Sequence, residues 1–144
     1  MKTIATAQAD FRANDRDWNH VNDYWRPDVA GLYGLEVEGV AIKLIELSTA
    51  AADDHPLVRM DRYAEKSARA GFWYRGLRHE DEVTEGPDRF AACCFPASLE
   101  PGRLGTYVIS EENVVRKKIL GHANGLGFHP SRERLKAEDW ERLD

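Results

Sequence analysis

Hydrophobic and polar positions change rhythm halfway along the chain. In the first half, Ile4, Ala7, Gln8 and Phe11 fall three and four residues apart in a segment without Gly or Pro, which predicts an amphipathic helix over residues 1–14. Asn14-Asp15-Arg16-Asp17-Trp18-Asn19 stops it, because short polar side chains compete for backbone hydrogen bonds and favour turns. After the Trp25-Arg26-Pro27-Asp28 break, Val29 to Leu35 has two glycines among apolar residues and reads as coil or a short turn. Ile42, Leu44, Ile45 and Leu47, followed by three alanines, favour a second helix over residues 40–52, with a strand as the competing reading. Asp53-Asp54-His55-Pro56 ends that segment, since a residue before proline avoids helical dihedrals.

Beyond Ala70 the pattern is of short aromatic and β-branched runs separated by turn residues. Phe72 to Leu77, Phe90 to Phe95, Thr106 to Ile109 and Val114 to Ile119 are the candidate strands, and Ser110-Glu111-Glu112-Asn113 is the best hairpin turn. A charged loop, His79 to Asp88, joins the first pair. The predicted architecture is therefore α+β: an N-terminal helix and a second helix packed on an antiparallel β-meander of about four strands over residues 71–119. Residues 120–144 form an irregular tail anchored by Leu135, Trp140 and Leu143.

Length and composition agree with one domain, 1–144: at 144 residues, 42% hydrophobic and 31% charged, the chain can enclose a single core. A net charge of -5 with both signs spread along the chain argues against nucleic acid as a partner. No run approaches the roughly 20 apolar residues that span a bilayer, and Met1 to Asp10 lack the basic start and apolar run of an export signal. Cys93 and Cys94 are adjacent, point to opposite faces of a strand and read as free thiols. Arg116-Lys117-Lys118 reads as the charged guard of an edge strand.

One loop carries a suggestive pattern of ligand-type residues. Asp15, Asp17, Asn19, the Val21 carbonyl and Asp23 alternate as oxygen ligands do in calcium loops, but His20 stands at the position of the central glycine and Arg26 at that of the bidentate glutamate. Calcium is therefore a candidate cofactor, beside the plainer reading of a polar turn. The histidines, His20, His55, His79, His122 and His129, form no helical zinc motif. His122 and His129 flank a glycine-rich loop and, with a distant acidic residue, define a rival reading as a small hydrolase or transferase. No nucleophile elbow, phosphate loop or dinucleotide fingerprint occurs.

Several segments in order carry a resemblance: Thr3-Ile4-Ala5-Thr6-Ala7-Gln8-Ala9-Asp10-Phe11, Asn14-Asp15-Arg16-Asp17, Gly71-Phe72-Trp73-Tyr74-Arg75, Phe90 to Pro96, and Gly105-Thr106-Tyr107-Val108-Ile109. Together they resemble the head domains of bacterial pilin-like proteins made with a prepilin-type methylation signal, and an uncharacterised extracytoplasmic family with the same segments. The resemblance implies a non-enzymatic cell-envelope or secretion-associated domain, pilin-like or pseudopilin-like, with protein partners or self-assembly. It also implies a membrane link only through an apolar N-terminal helix. Met1 falls about where the exposed half of the family's helix begins, so that apolar half is missing here. The family turn usually has a glycine where this chain has Trp18, and a different residue pair where it has Cys93-Cys94. No catalytic residues carry over. A calcium-stabilised extracellular binding module is the first alternative.

Overall fold

The computed structural model describes residues 1–82, 86–102 and 104–144; residues 83–85 of the charged loop lie outside the described residues. Helix α1 (Lys2–Asn14) buries Ile4, Ala5, Ala7, Gln8 and Phe11, the face that the helical spacing marks out. It ends at Asp15 in the left-handed conformation, whose N–H donates to the Phe11 carbonyl. Gln8 lies on the buried face yet is satisfied: it exchanges hydrogen bonds with the backbone of Trp25, donating to its carbonyl and accepting from its N–H at 2.9 Å. Residues 25–60 then fold with little regular structure, comprising α2 (Gly31–Gly34), a hairpin of β1 (Glu36–Val37) and β2 (Val40–Ala41), and α3 (Leu47–Ala51).

Two buried carboxylates organise this stretch. Asp28 accepts from the Trp25 indole and from the backbone N–H groups of Gly31, Leu57 and Val58, at 2.6 to 2.9 Å. Asp53 accepts from Val29, Ala30 and His55 N–H groups at 2.7 to 3.0 Å. These bonds satisfy backbone groups that no helix or strand pairs.

The main sheet holds β3 (Phe72–His79), β4 (Ala91–Pro96), β5 (Gly105–Ser110), β6 (Arg116–Ile119), β7 (Phe128–His129) and β8 (Glu141–Arg142) in the order β7-β3-β4-β5-β6-β8. Every pair is antiparallel except β3 with β7. Alternation sends Ala92, Ile109, Tyr74 and Tyr107 toward α1 and the 25–60 stretch, and Leu77, Ala91, Cys93, Phe95 and Val108 toward the opposite side. There α4 (Arg132–Ala137) and the residues after it supply Leu135 and Trp140 as the cover.

This overturns the predicted architecture. Among the described residues the chain is mostly sheet, a six-stranded curled mixed sheet plus a two-stranded one, with only about 20% helix and one helix of seven residues or more; it is not a helical layer on a four-stranded meander. Two local signals and one long-range effect account for the difference. Glu38 and Gly39, at φ 52° and 79°, make a tight turn that diverts Val40-Ala41 into a hairpin, and Lys43 at φ 50° interrupts any helix before Leu47. The tail is not irregular, because its two-residue strands borrow partners: Phe128 and His129 pair with Arg78 and His79, and Glu141 and Arg142 with Lys117 and Arg116. For the same reason Arg116-Lys117-Lys118 does not guard an edge. β6 lies between β5 and β8, with Lys118 donating to Glu138 at 3.1 Å and stacked over Trp140.

Candidate functional site

Three places combine unusual chemistry with access. The most polar is a cavity of about 430 Å³ under the parallel β3–β7 pair, between the β5–β6 turn and α4. Because His79 and His129 are register partners, their side chains share one face, with ring centroids 4.8 Å apart and both residues buried. His79 is held at both nitrogens. Nδ1 lies 2.9 Å from an Arg89 guanidinium nitrogen, which can only donate, so the ring proton sits on Nε2, 3.0 Å from the Phe90 carbonyl and 3.1 Å from Glu111 Oε2. Arg89 also reaches Glu111 Oε1 at 3.4 Å and Asp81 at 3.0 Å. Burial raises the Glu111 carboxyl pKa, but the hydrogen bond from His79 and backbone N–H groups outweigh it and hold it below the ordinary carboxylate range.

His129 differs. Its Nδ1 is buried without a hydrogen-bond partner. Burial, then the neighbouring His79, pushes its pKa down from 6.5 to about 4, so the ring is neutral at pH 7. With His79 tied at both nitrogens, the pair offers no free base oriented by a carboxylate. His122 lies exposed in its own loop, its Nδ1 accepting from Asn124 N–H at 3.3 Å, so the His122 and His129 pairing is replaced by His79 and His129. Sequence reading missed His79, Arg89 and Glu111. The available signal was alternation: a strand extended by two residues past Leu77 puts His79 on the same face as Leu77.

The second place is the Asp15–Asp23 loop. Asp15, Trp18 and His20 have φ of 46°, 56° and 64°, the left-handed turns of a tight loop. Asp15 Oδ2 accepts the His20 N–H at 3.1 Å, Asp17 Oδ2 the Asn19 amide at 2.8 Å, and Asn19 Oδ1 the Val21 N–H at 2.7 Å. Burial, with Asp23 and Asp15 adding to it against backbone N–H groups, raises the Asp17 carboxyl above its ordinary value. Asp15 Oδ1 and Asp23 Oδ1 are buried without partners. Among the described residues, no three His, Cys, Asp or Glu side chains stand together as a preformed metal centre. Arg26, at the position of the missing glutamate, is turned to Glu82.

The third place is an apolar groove of about 600 Å³ beside the first turn of α1, lined by Met1, Thr3, Phe72, Tyr74, Tyr107 and Leu143. Lys2 and Asp144 pair at its rim. Leu143 is 45% exposed, and Tyr107 packs edge-on against Phe72. The thiols of Cys93 and Cys94 are free and buried, and burial pushes both up to about 12, which leaves them unreactive at neutral pH. No helix among the described residues is long and apolar enough to cross a membrane. No protein-family model, curated protein or solved structure matches the chain.

Proposed function

We propose that this chain is a non-enzymatic cell-envelope or secretion-associated domain that works through surface contacts, as a pilin-like or pseudopilin-like subunit. The apolar groove at the start of α1 carries the reading. Aromatic side chains from β3 and β5 and the exposed Leu143 meet there beside a helix end, a concave apolar lining suited to an apolar surface of a neighbouring subunit. The order of segments that resembles pilin-like head domains supports the same reading. Both His79 nitrogens are committed to the protein, and both thiols are buried, which favours contact over catalysis.

The test is made in the native cell. The protein should fractionate with the envelope and form self-crosslinks through a photoreactive residue at Leu143, and Tyr107→Arg should abolish them. Recovery in the cytosol alone, without crosslinks, refutes the proposal.

A second reading rests on a separate observation, the orphaned buried oxygens of Asp15 and Asp23 in a loop already turned left-handed at Trp18 and His20. Asp15, Asp17, Asn19, the Val21 carbonyl and Asp23 would hold a calcium ion, which would supply charge neutralisation and cross-link the loop. A melting temperature that rises in millimolar calcium and falls back in chelator is expected; equal values remove this reading.

A further inference from the structure

The C-terminal segment, residues 128–144, is attached to the sheet by very short strands. β7 and β8 have two residues each, and Phe128 is 58% exposed although it belongs to β7. At its start the segment is fixed by the His79 and His129 contact, by Glu80 N–H donating to the His129 carbonyl at 2.9 Å, and by Ser131 N–H donating to Glu80 at 3.0 Å. The rest of its hold is the packing of Leu135 and Trp140 on the far face of the sheet, the pairing of β8 with β6, and surface ion pairs of Arg132 with Glu112, Arg134 with Glu80, Glu138 with Lys118 and Asp144 with Lys2.

We infer that His79 and His129 form an acid-sensitive latch that fastens this segment to β3, closed while His129 is neutral and released when His129 takes a proton. The surroundings are built to resist that proton. Arg89, arriving just before β4, already sets a cation on His79 Nδ1, so a charge on His129 faces a like charge across a ring pair 4.8 Å apart. Among the carboxylates nearby, Glu111 and Glu112 favour the proton but are outweighed by burial and His79, and most are committed to other partners. Glu111 of the β5–β6 turn is bound to His79, Arg89 and the Phe90 N–H. Asp81 is bound to Arg89, and Glu112 to Arg132 of α4. Glu80 of the β3 end is bound to Arg134, and Glu133 sits exposed on the first turn of α4.

Detachment exposes His129 to water, where it protonates more readily, so acid draws the equilibrium toward the released state. The ring titrates near 6.5 when free and near 4 when latched, which favours release by about 50-fold at about pH 4.5 relative to pH 7.

Hydrogen exchange, corrected for its intrinsic pH dependence, tests the latch on the whole chain. On acidification, amides of residues 128–140 should lose about 50-fold protection while those of α1 keep theirs. His129→Leu should remove the pH dependence. Arg89→Gln, which leaves both histidines in place, should shift release to lower pH, because less positive charge opposes the proton. Unchanged protection of residues 128–140, their loss in one step with α1, or a release pH insensitive to Arg89→Gln overturns the inference.

Discussion

Arg26 and Glu82 form the pair most open to a quantitative test, because their side chains are only 15% and 3% exposed. Two contacts of 2.7 Å join one guanidinium nitrogen to both carboxylate oxygens, and Arg26 also donates to the Gly86 carbonyl at 2.6 Å. Arg26→Met keeps the stem's bulk but leaves a buried carboxylate whose remaining donors include the Gly86 N–H, at 3.3 Å. Breaking one side of a buried pair costs about 3–5 kcal/mol, a large part of the stability of a domain this size. Replacing both, as Arg26→Met with Glu82→Leu, removes the stranded charge and should cost about 2 kcal/mol or less, so the two single losses exceed the double.

The pH dependence gives a second handle on the same pair. Burial raises the Glu82 carboxyl, but the Gly86 N–H and Arg26 outweigh it and hold its pKa below the ordinary 4.5. A depressed carboxyl contributes stability that is present above its unfolded pKa and lost as pH falls through the folded one. The difference between wild type and Arg26→Met should therefore be largest near pH 7 and shrink in acid below 4.5. Urea denaturation followed by tryptophan fluorescence at several pH values measures it. A cost below about 1 kcal/mol at pH 7, or a double variant weaker than either single, refutes the argument.

Further outcomes follow from other sites. Phe11→Ala empties the centre of the α1 face, where Phe11 is 1% exposed, and should cost about 3–5 kcal/mol in urea denaturation. Trp18→Gly relieves a left-handed residue that is 57% exposed, and should stabilise by about 1 kcal/mol in the same assay. Gly31→Ala should destabilise the fold, because a Cβ there would stand 2.2 Å from the Trp25 indole; a lowered melting temperature checks it. Burial, opposed by backbone N–H donors and aided by Asp28, raises Asp53 to about 6. Its stabilising contribution is complete below 3.8 and is lost as pH rises through about 6, and a carboxyl carbon-13 titration should place the midpoint there.

The chain's own pattern determined what depends on near neighbours. Helical spacing from Ile4 to Phe11 marks the buried face of α1, and the β-rich runs mark β3 to β6, each within a few residues of where it lies. Adjacency determined that Cys93 and Cys94 face opposite sides of the sheet. The loop oxygens of Asp15, Asp17, Asn19 and Asp23 were legible as a spacing, but only the structure shows which of their oxygens lack partners. Tertiary structure alone decided the rest. Two-residue strands such as β7 and β8 carry no period of their own and exist because β3 and β6 lend them hydrogen-bond partners. Asp28 and Asp53 reach across as many as 30 residues to satisfy N–H groups that no regular element pairs. His79 meets His129, and Arg26 meets Glu82, across 50 and 56 residues, distances at which local propensity is silent. Burying one partner makes the other necessary, and that requirement arises only once the chain has closed on itself.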